Sequence, residues 1–267
     1  MSQQFLLAFP NLITETTPTL SGGSYRTTAP QSNLLTWPLA EVARTTDATT
    51  ASTKISIDWG SAKTARALII PRHNASSAGT IRWKRGSSAG GTQVDDSGTI
   101  NCWRFTPRSY DGSVYDLQVL LSAASSARYE TIEIVDSANA AGYLDFGRLF
   151  IGPVFAATWN PDYGLRDGHT ELSKVGKAFG GAQWPYQNRR PRSVSFALNF
   201  LSLTEGDTLH EMEQIEGITG EVGYLPYSDD PARMQRYGML GLLRDLSGIE
   251  YPRTLNRGRG FAIDQRV

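Results

Sequence analysis

The feature that most constrains the fold is an apolar, aromatic stretch near the middle of the chain, residues 143–153. It carries two glycines, Gly147 and Gly152, and ends at Pro153, which cannot donate a ladder hydrogen bond and so stops the run. This pattern predicts a buried strand that closes one β-domain and leads into a second. We therefore expect two domains that meet near Pro153.

Alternation of apolar and polar residues marks the chain before this stretch. Ile55, Ile57 and Trp59 would share one face of a strand, and residues 80–85 alternate in the same way. Several further segments predict strands: 5–9, 65–70, 100–105, 114–121 and 131–136. Short strands with a turn about every ten residues are typical of an antiparallel sandwich or jelly roll. The predicted fold class is therefore mainly β.

The chain after Pro153 has longer loops. Residues 192–200 alternate strictly and predict a strand with four side chains on one face: Val194, Phe196, Leu198 and Phe200. Other strands are predicted at 154–159, 221–226, 235–244 and 260–264. Residues 160–188, rich in Gly, Asp, Lys and aromatic residues, predict a long excursion of the kind that is usually functional or mobile.

One helix is predicted, over residues 205–216. Thr204 would cap its first turn, with Asp207 favouring the positive helix end. Three apolar residues recur near the helical period: Leu209, Met212 and Ile215. Gly217 would end the helix. One helix over a small sheet leaves strand edges unpaired, and open edges favour association, so this C-terminal domain is predicted to carry self-assembly.

Composition excludes several classes of protein. The 26 basic and 26 acidic residues balance to a formal net charge of zero, which gives no electrostatic case for binding nucleic acid or an anionic membrane. Cys102 is the one cysteine, which rules out an internal disulfide, and its strand-like surroundings predict a buried structural thiol. No run approaches the roughly 18–20 apolar residues of a membrane helix, and no signal peptide is evident. We expect a protein made in the cytosol that stays soluble or joins a soluble assembly.

No catalytic or metal-binding constellation is evident. The histidines are far apart in the sequence: His73, His169 and His210. No Gly-x-Ser-x-Gly motif accompanies them, and the adjacent carboxylates Asp95 and Asp96, like Asp229 and Asp230, would point apart. We therefore predict that the chain is not an enzyme and binds no metal or organic cofactor.

Two sets of residues are candidates for binding. Four aromatic residues could stack on a glycan, with core packing as the alternative: Trp37, Trp83, Trp103 and Tyr110. A second set mixes aromatic residues with arginines and could contact a neighbouring subunit or stack on bases: Phe179, Trp184, Tyr186, Arg189, Arg190 and Arg192. We favour the inter-subunit interpretation. Arg253, Arg257 and Arg259 form another basic cluster, for which pairing with carboxylates of a neighbouring subunit is expected.

Residues 54–83 resemble the discoidin-like, galactose-binding-like sandwich. The resemblance rests on the run from Ile55 to Gly60, a buried strand that ends in His73-Asn74, and the run from Thr80 to Trp83. It covers about residues 30–153 and implies a jelly-roll sandwich, whose family often binds sugars through loops at one end. These loops vary within the family, so the resemblance implies no particular binding residue.

The whole chain resembles structural proteins of long-tailed phages in its general sequence pattern. Four short segments carry this similarity: 149–153, Trp159-Asn160-Pro161, Tyr163-Gly164 and Tyr237-Gly238. It implies an N-terminal strand and loop over 1–29, the sandwich over 30–153, and a tail-tube-like belt domain with one helix over 154–267. The implied protein is a virion component made in the host cytoplasm, a distal tail or tail-tip subunit.

This resemblance also implies the partners. The subunit would form a homo-oligomeric ring, a trimer or hexamer, that joins the tail tube to the baseplate and contacts hub and fibre proteins. The main functional hypothesis is therefore a ring-forming virion structural protein. The first alternative is a carbohydrate-binding module that recognises a host surface glycan, and the second is a hydrolase that acts on polysaccharide.

Overall fold

The computed structural model of the chain describes residues 5–161, 164–246, 248, 250–253 and 256–267. The structure divides into two compact units. The first unit comprises Met1–Ala157 and Glu221–Leu240, and the second comprises Thr158–Gly220 and Gly241–Val267. The sequence predicted one domain over all of 154–267, whereas the structure returns Glu221–Leu240, here called the return segment, to the first unit.

The described part of the first unit is built of antiparallel strands with three short helical segments. Its strands are Leu6–Ala8, Thr19–Ser21, Ala43–Arg44, Ile55–Ile70, Thr80–Gly86, Asp95–Asp96, Ile100–Asn101, Leu117–Val135, Asp145–Phe146, Phe150–Gly152, Val154–Ala156 and Glu221–Leu225, and the strand Met239–Leu243 begins in it. Its helical segments are the α-helices Leu12–Thr16 and Pro231–Tyr237 and the 3₁₀ helix Gln31–Leu35. The predicted fold class, mainly β, is confirmed.

Two long strands, Ile55–Ile70 and Leu117–Val135, form the centre of the main sheet. They pair antiparallel with each other, and Phe150–Gly152 and Thr80–Gly86 pair on either side of them. The sequence predicted two separate strands in place of each long one. The chain instead passes Gly60, at φ 72°, as part of one continuous strand with a shift in register between Asp58 and Lys63.

The core of this sheet follows the predicted alternation. Ile55, Ile57 and Trp59 are all buried, as are the apolar residues of the run from Ala65 to Ile70. Cys102 is buried with them, and burial raises the pKa of its thiol to about 12, so the thiol is un-ionised at neutral pH. The prediction of a structural thiol is confirmed.

The stretch 143–153 is buried, but it forms two short strands rather than one. Asp145–Phe146 pairs with Ala43–Arg44, whereas Phe150–Gly152 pairs with the strand Ile55–Ile70. Gly147 lies between the two strands, and a Cβ at this position would come within 2.8 Å of the Pro71 carbonyl oxygen. The close backbone approach explains both the glycine and the break in the strand.

A buried ion pair ties the return segment to this stretch. The Arg148 guanidinium donates to the Glu221 carboxylate at 2.7 Å, and both side chains are almost completely buried. Arg148 also donates to the carbonyl oxygens of Leu35 and Thr36 and to the Thr14 hydroxyl. A buried charge requires such partners, so Glu221 is held in the first unit although it lies 73 residues further along the chain.

The described part of the second unit consists of antiparallel strands and one longer helix. Its elements are the strands Arg166–His169, Lys174–Lys177, Gln183–Tyr186, Arg192–Leu201, Glu250–Arg253 and Asn256–Gln265, the last part of Met239–Leu243, and the helix Leu203–Glu216. Arg192–Leu201 pairs with Asn256–Gln265 on one side and with Arg166–His169 on the other. The predicted strand over 235–244 is wrong in its first part, where the structure has the helix Pro231–Tyr237.

The strand Arg192–Leu201 buries Val194, Phe196 and Leu198 as predicted. Phe200, however, is 51% exposed, which corrects the prediction that it shares this face. The register shifts between Leu198 and Leu201, and such a bulge turns the following side chains over, so Leu201 takes the buried place.

The helix Leu203–Glu216 begins two residues earlier than predicted. Ser202, and not Thr204, caps it: the Ser202 hydroxyl accepts from the Glu205 backbone N–H, and the Glu205 carboxylate accepts from the Ser202 N–H. Leu209 and Met212 are buried, but Ile215 is 59% exposed, because the buried face continues to Glu216 instead. Gly217 ends the helix, as predicted. None of the described helices is long and apolar enough to cross a membrane.

Candidate functional site

The helix Pro231–Tyr237, here called the cleft helix, is specified by its two ends. The Asp230 side chain accepts from the backbone N–H groups of Ala232 and Arg233 at 3.1 Å, and Pro231 takes the first helical position. At the other end a Cβ on Gly238 would come within 2.7 Å of the Gln118 side chain, so only glycine fits without displacement. Asp230-Pro231 is the sequence signal that could have predicted this helix. The prediction of a strand over 235–244 did not take this signal into account.

Gln235 fastens the cleft helix to a distant loop. Its side-chain oxygen accepts from the Arg104 backbone N–H at 2.7 Å, and its amide nitrogen donates to the Cys102 carbonyl at 2.6 Å and to the Asp116 carbonyl at 3.3 Å. Gln235 is completely buried, and Met234 beside it packs into the apolar core. The loop that carries Phe105 is thereby held against the cleft helix.

An aromatic cluster supports Phe105 from the other side. The Phe105 ring contacts Tyr115 edge-on at 5.1 Å and Trp103 at 6.4 Å, and Trp103 packs in turn against Tyr110 and His73. Edge-to-face contacts of this kind favour one ring orientation. The cluster therefore fixes the direction in which Phe105 points.

These elements enclose a cleft of about 410 Å³ in the first unit. Its lining combines three aromatic rings, two guanidinium groups and one carboxylate, from Phe105, Tyr227, Asp230, Ala232, Arg233, Arg236 and Tyr237. This volume falls within the range of about 300–1,000 Å³ that is usual for small-molecule sites. The cleft is the candidate functional site.

Charge and ring contacts orient the polar groups of the cleft. Arg233 lies 3.4 Å from the Asp230 carboxylate, with its guanidinium 5.8 Å from the Tyr227 ring centre. The Arg236 guanidinium lies over the Phe105 ring at 4.8 Å. Tyr227 and Tyr237 contact each other at 5.7 Å between ring centres. The cleft thus presents aromatic faces beside cationic hydrogen-bond donors.

The structure places the four predicted stacking residues differently. Trp83 is completely buried and donates to the Glu130 carboxylate, and Trp103 is buried and donates to the Ala75 carbonyl, so both are core residues, which corrects the stacking prediction for them. Trp37 is 41% exposed, with the Arg148 guanidinium 5.0 Å from its ring centre. Tyr110 is 46% exposed. None of the four lines the cleft, although Trp103 supports Phe105.

The predicted inter-subunit residues lie in the second unit, around the strands Lys174–Lys177 and Gln183–Tyr186. These strands pair antiparallel as a hairpin, here called the exposed hairpin. Phe179 at its turn and Trp184 and Tyr186 on its second strand are each at least 60% exposed. Three exposed aromatic side chains on one hairpin form an apolar surface of the kind that marks an interaction site.

The arginines near the exposed hairpin differ among themselves. Arg189 and Arg190 are exposed, and Arg190 pairs with Glu171 at 2.6 Å. Arg192 is buried and pairs with Asp167 of the same chain, so it is not available to a neighbour, which corrects that prediction.

The second basic cluster also pairs within the chain. Arg257 contacts Asp207 and Arg259 contacts Glu213, both on the helix Leu203–Glu216. The expectation of pairing with a neighbouring subunit is therefore wrong for these two, and the side chain of Arg253 lies outside the described part of the structure.

Within the described residues, no group of three or more His, Cys, Asp or Glu side chains is placed to hold a metal ion. His73 is buried, and burial lowers the pKa of its imidazole to about 4, against the opposing effect of a backbone contact at Tyr115. Asp96 is bound by Arg82, which lowers the pKa of its carboxyl group. These groups have structural partners, and they do not converge on the cleft.

No protein-family model matches the sequence, and no curated protein matches it. Among solved structures, the chain is similar to CBM32-1 from a family 31 glycoside hydrolase of Clostridium perfringens, with 16% identity and a TM-score of 0.37, over 51% of this chain and 93% of that one. It is also similar to the family 32 CBM from C. perfringens NanJ in complex with galactose, with 15% identity and a TM-score of 0.40, over 56% and 99% of the two chains.

A third similar structure is the lectin domain of Lectinolysin complexed with Lewis B antigen, with 13% identity and a TM-score of 0.40, over 55% of this chain and 98% of that one. Two of these three structures are named as CBMs and the third as a lectin domain. At these identities and TM-scores, no ligand and no binding residue transfers to this chain. The resemblance to tail proteins finds no support in these comparisons and stays a prediction from the sequence.

Proposed function

We propose that this chain is a carbohydrate-recognition protein that binds its glycan in the cleft lined by Phe105, Tyr227, Tyr237, Arg233 and Arg236. The observation that carries the proposal is the composition of this cleft. The C–H face of a pyranose packs well against an aromatic ring, and its hydroxyl groups need polar partners at the rim. Aromatic faces next to guanidinium groups supply both.

The support around the cleft suits recognition of a ligand. Gln235 and the Trp103 cluster hold Phe105 in place before any ligand arrives, so little ordering entropy remains to be lost on binding. Because the lining residues come from one helix and two loops of one unit, the site is complete within that unit.

The proposed role is binding without catalysis. Asp230 is the one carboxylate among the lining residues that the structure describes, and it already accepts two backbone N–H groups of the cleft helix. Glycoside hydrolysis generally needs a pair of carboxylates on opposite sides of the bond. The composition of the cleft therefore favours a binding site over a hydrolase site.

The proposal is tested by titrating the full-length chain with methyl glycosides and measuring affinity by calorimetry. Phe105→Ala and Tyr237→Ala should each weaken binding at least about tenfold, since stacked aromatic rings account for much of the contact area. Tyr186→Ala is the matched control, because Tyr186 is an exposed aromatic residue of the second unit. Binding that the two cleft variants leave unchanged, or that Tyr186→Ala removes, would contradict the proposal.

A second candidate function, that of a self-assembling structural subunit, is favoured by the exposed hairpin. An isolated two-stranded hairpin is only marginally stable in water, and this one exposes Val175, Phe179, Trp184 and Tyr186. Covering these side chains with a second copy of the chain would stabilise it. A ring-forming subunit of a phage tail tip, with tail-tube, hub and fibre proteins as neighbours and the virion as its location, is the specific form that the sequence resemblance implies.

Light scattering after size-exclusion chromatography tests the second candidate. A discrete oligomer that dissociates when Phe179→Ser and Trp184→Ser are combined would support it, because loss of exposed apolar area should weaken the contact. Leu246→Ser, a substitution of another exposed apolar residue of the second unit, is the control. A monomeric chain at micromolar concentration would eliminate this candidate and leave the cleft proposal intact.

A further inference from the structure

Cationic donors outnumber carboxylate acceptors in the cleft. The lining contains two guanidinium groups, those of Arg233 and Arg236, and one carboxylate, that of Asp230. Each guanidinium carries five N–H donors in a planar fork, and the Asp230 oxygen that caps the cleft helix is already shared between two backbone N–H groups. The lining set therefore has a net positive charge.

The contact between Arg233 and Asp230 leaves the arginine able to take a new partner. Their separation is 3.4 Å, and both side chains are about half exposed, at 54% and 44%. Exposed pairs of this kind contribute little to stability, since both ions stay well solvated. A ligand carboxylate could therefore replace Asp230 as the partner of the Arg233 guanidinium with little loss of protein stability.

Arg236 and Arg233 are arranged to act together. They are three residues apart on the cleft helix, which places them as neighbours on one face. Arg236 lies over the Phe105 ring, so its guanidinium donors are placed beside an aromatic side chain of the cleft. An anionic group beside Phe105 would thus meet donors from both arginines, while an attached sugar ring lies next to the aromatic side chains.

From this arrangement we infer that the cleft is selective for an acidic sugar, a pyranose that carries a carboxylate, with its ring on the aromatic side and its carboxylate on Arg233 and Arg236. The inference rests on the proposed carbohydrate function and names the class of glycan. A planar carboxylate with two oxygens matches the guanidinium fork, whereas a neutral hydroxymethyl group in the same position gains only uncharged hydrogen bonds.

The test uses matched ligands that differ at one carbon. Methyl glucuronide and methyl glucoside, and methyl galacturonide and methyl galactoside, are titrated into the full-length chain by calorimetry or by NMR chemical shift. The acid of each pair should bind at least about tenfold more tightly at low salt, because charge-assisted hydrogen bonds are roughly twice as strong as neutral ones. This preference should shrink at high ionic strength, since both arginines are accessible to solvent.

Substitutions locate the selectivity. Arg233→Gln and Arg236→Gln should each remove most of the preference for the acid, because the acid loses charge-assisted hydrogen bonds while the neutral glycoside loses only uncharged ones. Arg236→Lys should keep the charge and lose part of the preference, since lysine cannot present a planar fork. Arg189→Gln and Arg190→Gln are the matched controls: they remove the same charge from exposed positions in the second unit.

The outcomes separate this inference from the function on which it rests. Equal binding of acid and neutral glycosides, lost in Phe105→Ala, would overturn the acidic selectivity and leave carbohydrate recognition standing. No binding of any glycoside would overturn both. Acetate that competes as tightly as methyl glucuronide binds would overturn the inference as well, because it would reveal a simple anion site without sugar recognition.

Discussion

The hydrogen bonds of Gln235 predict that one buried amide holds the cleft together. Gln235→Met keeps nearly the same length, volume and helix propensity, but it removes the groups that bind the Arg104 N–H and the Cys102 and Asp116 carbonyls. Because Gln235 is completely buried, water does not readily replace the lost partners. The loop with Phe105 would then lose its main attachment to the cleft helix.

The cost follows from the groups left without a partner. The Arg104 N–H and the Cys102 carbonyl each lose a short bond, of 2.7 and 2.6 Å, whereas the bond to Asp116 is longer, at 3.3 Å. A buried polar group without a partner costs about 1–3 kcal/mol, and local relaxation recovers part of it. We therefore expect Gln235→Met to lower the free energy of unfolding of the first unit by roughly 2–4 kcal/mol.

Urea unfolding measures this loss, and hydrogen–deuterium exchange localises it. The Arg104 amide should exchange much faster in Gln235→Met, since its acceptor is gone, while amides of the strand Arg192–Leu201 stay protected. Gln214→Met is the control, because Gln214 is also helical but exposed, and its variant should stay within about 0.5 kcal/mol. If the free energy of unfolding of Gln235→Met also changes by no more than about 0.5 kcal/mol and the Arg104 amide remains protected, Gln235 does not hold the Phe105 loop.

Three further predictions concern Arg148, His73 and the exposed hairpin. Arg148→Met should destabilise the first unit by about 3–5 kcal/mol in chemical denaturation, because it leaves the buried Glu221 carboxylate without its cation. His73 is held neutral by burial, with a pKa lowered to about 4 from 6.5. Below pH 6.5 the unfolded chain therefore binds a proton that the folded chain does not. The free energy of unfolding should be unaffected by this group above pH 6.5 and should fall by about 3 kcal/mol as the pH drops to 4, and the fall should be smaller in His73→Asn. In a last variant, a short Gly/Ser linker replaces the exposed hairpin, that is, both Lys174–Lys177 and Gln183–Tyr186. The first unit should stay folded, as measured by circular dichroism, and any oligomer seen by light scattering should be lost.

The sequence predicted well wherever local periodicity decides the structure. The faces formed by Ile55, Ile57 and Trp59, and by Val194, Phe196 and Leu198, are buried as the two-residue period requires. The fold class and the glycine at the end of the helix Leu203–Glu216 were predicted for the same local reasons. Such patterns depend only on residues that are neighbours along the chain, so they do not predict contacts between distant segments.

Long-range contacts decided the rest. The return segment is joined to the first unit by the ion pair of Glu221 with Arg148 and by strand pairing with Leu6–Ala8, and no local sequence pattern predicts partners so far away in the chain. A bulge moved Phe200 out of the face that its alternation predicted. The cleft brings Phe105 together with Tyr227 and Tyr237, more than 100 positions away in the sequence, so the stacking residues predicted from aromatic content alone fell on the wrong tryptophans.

A crystal structure of the full-length chain with methyl glucuronide tests the central claim most directly, because it shows where a sugar binds. The account predicts one ordered ligand in the cleft, with its ring against Phe105 or Tyr237 and its carboxylate within hydrogen-bond distance of Arg233 or Arg236. An ordered sugar elsewhere on the chain, with the cleft empty at a saturating ligand concentration, would contradict the account.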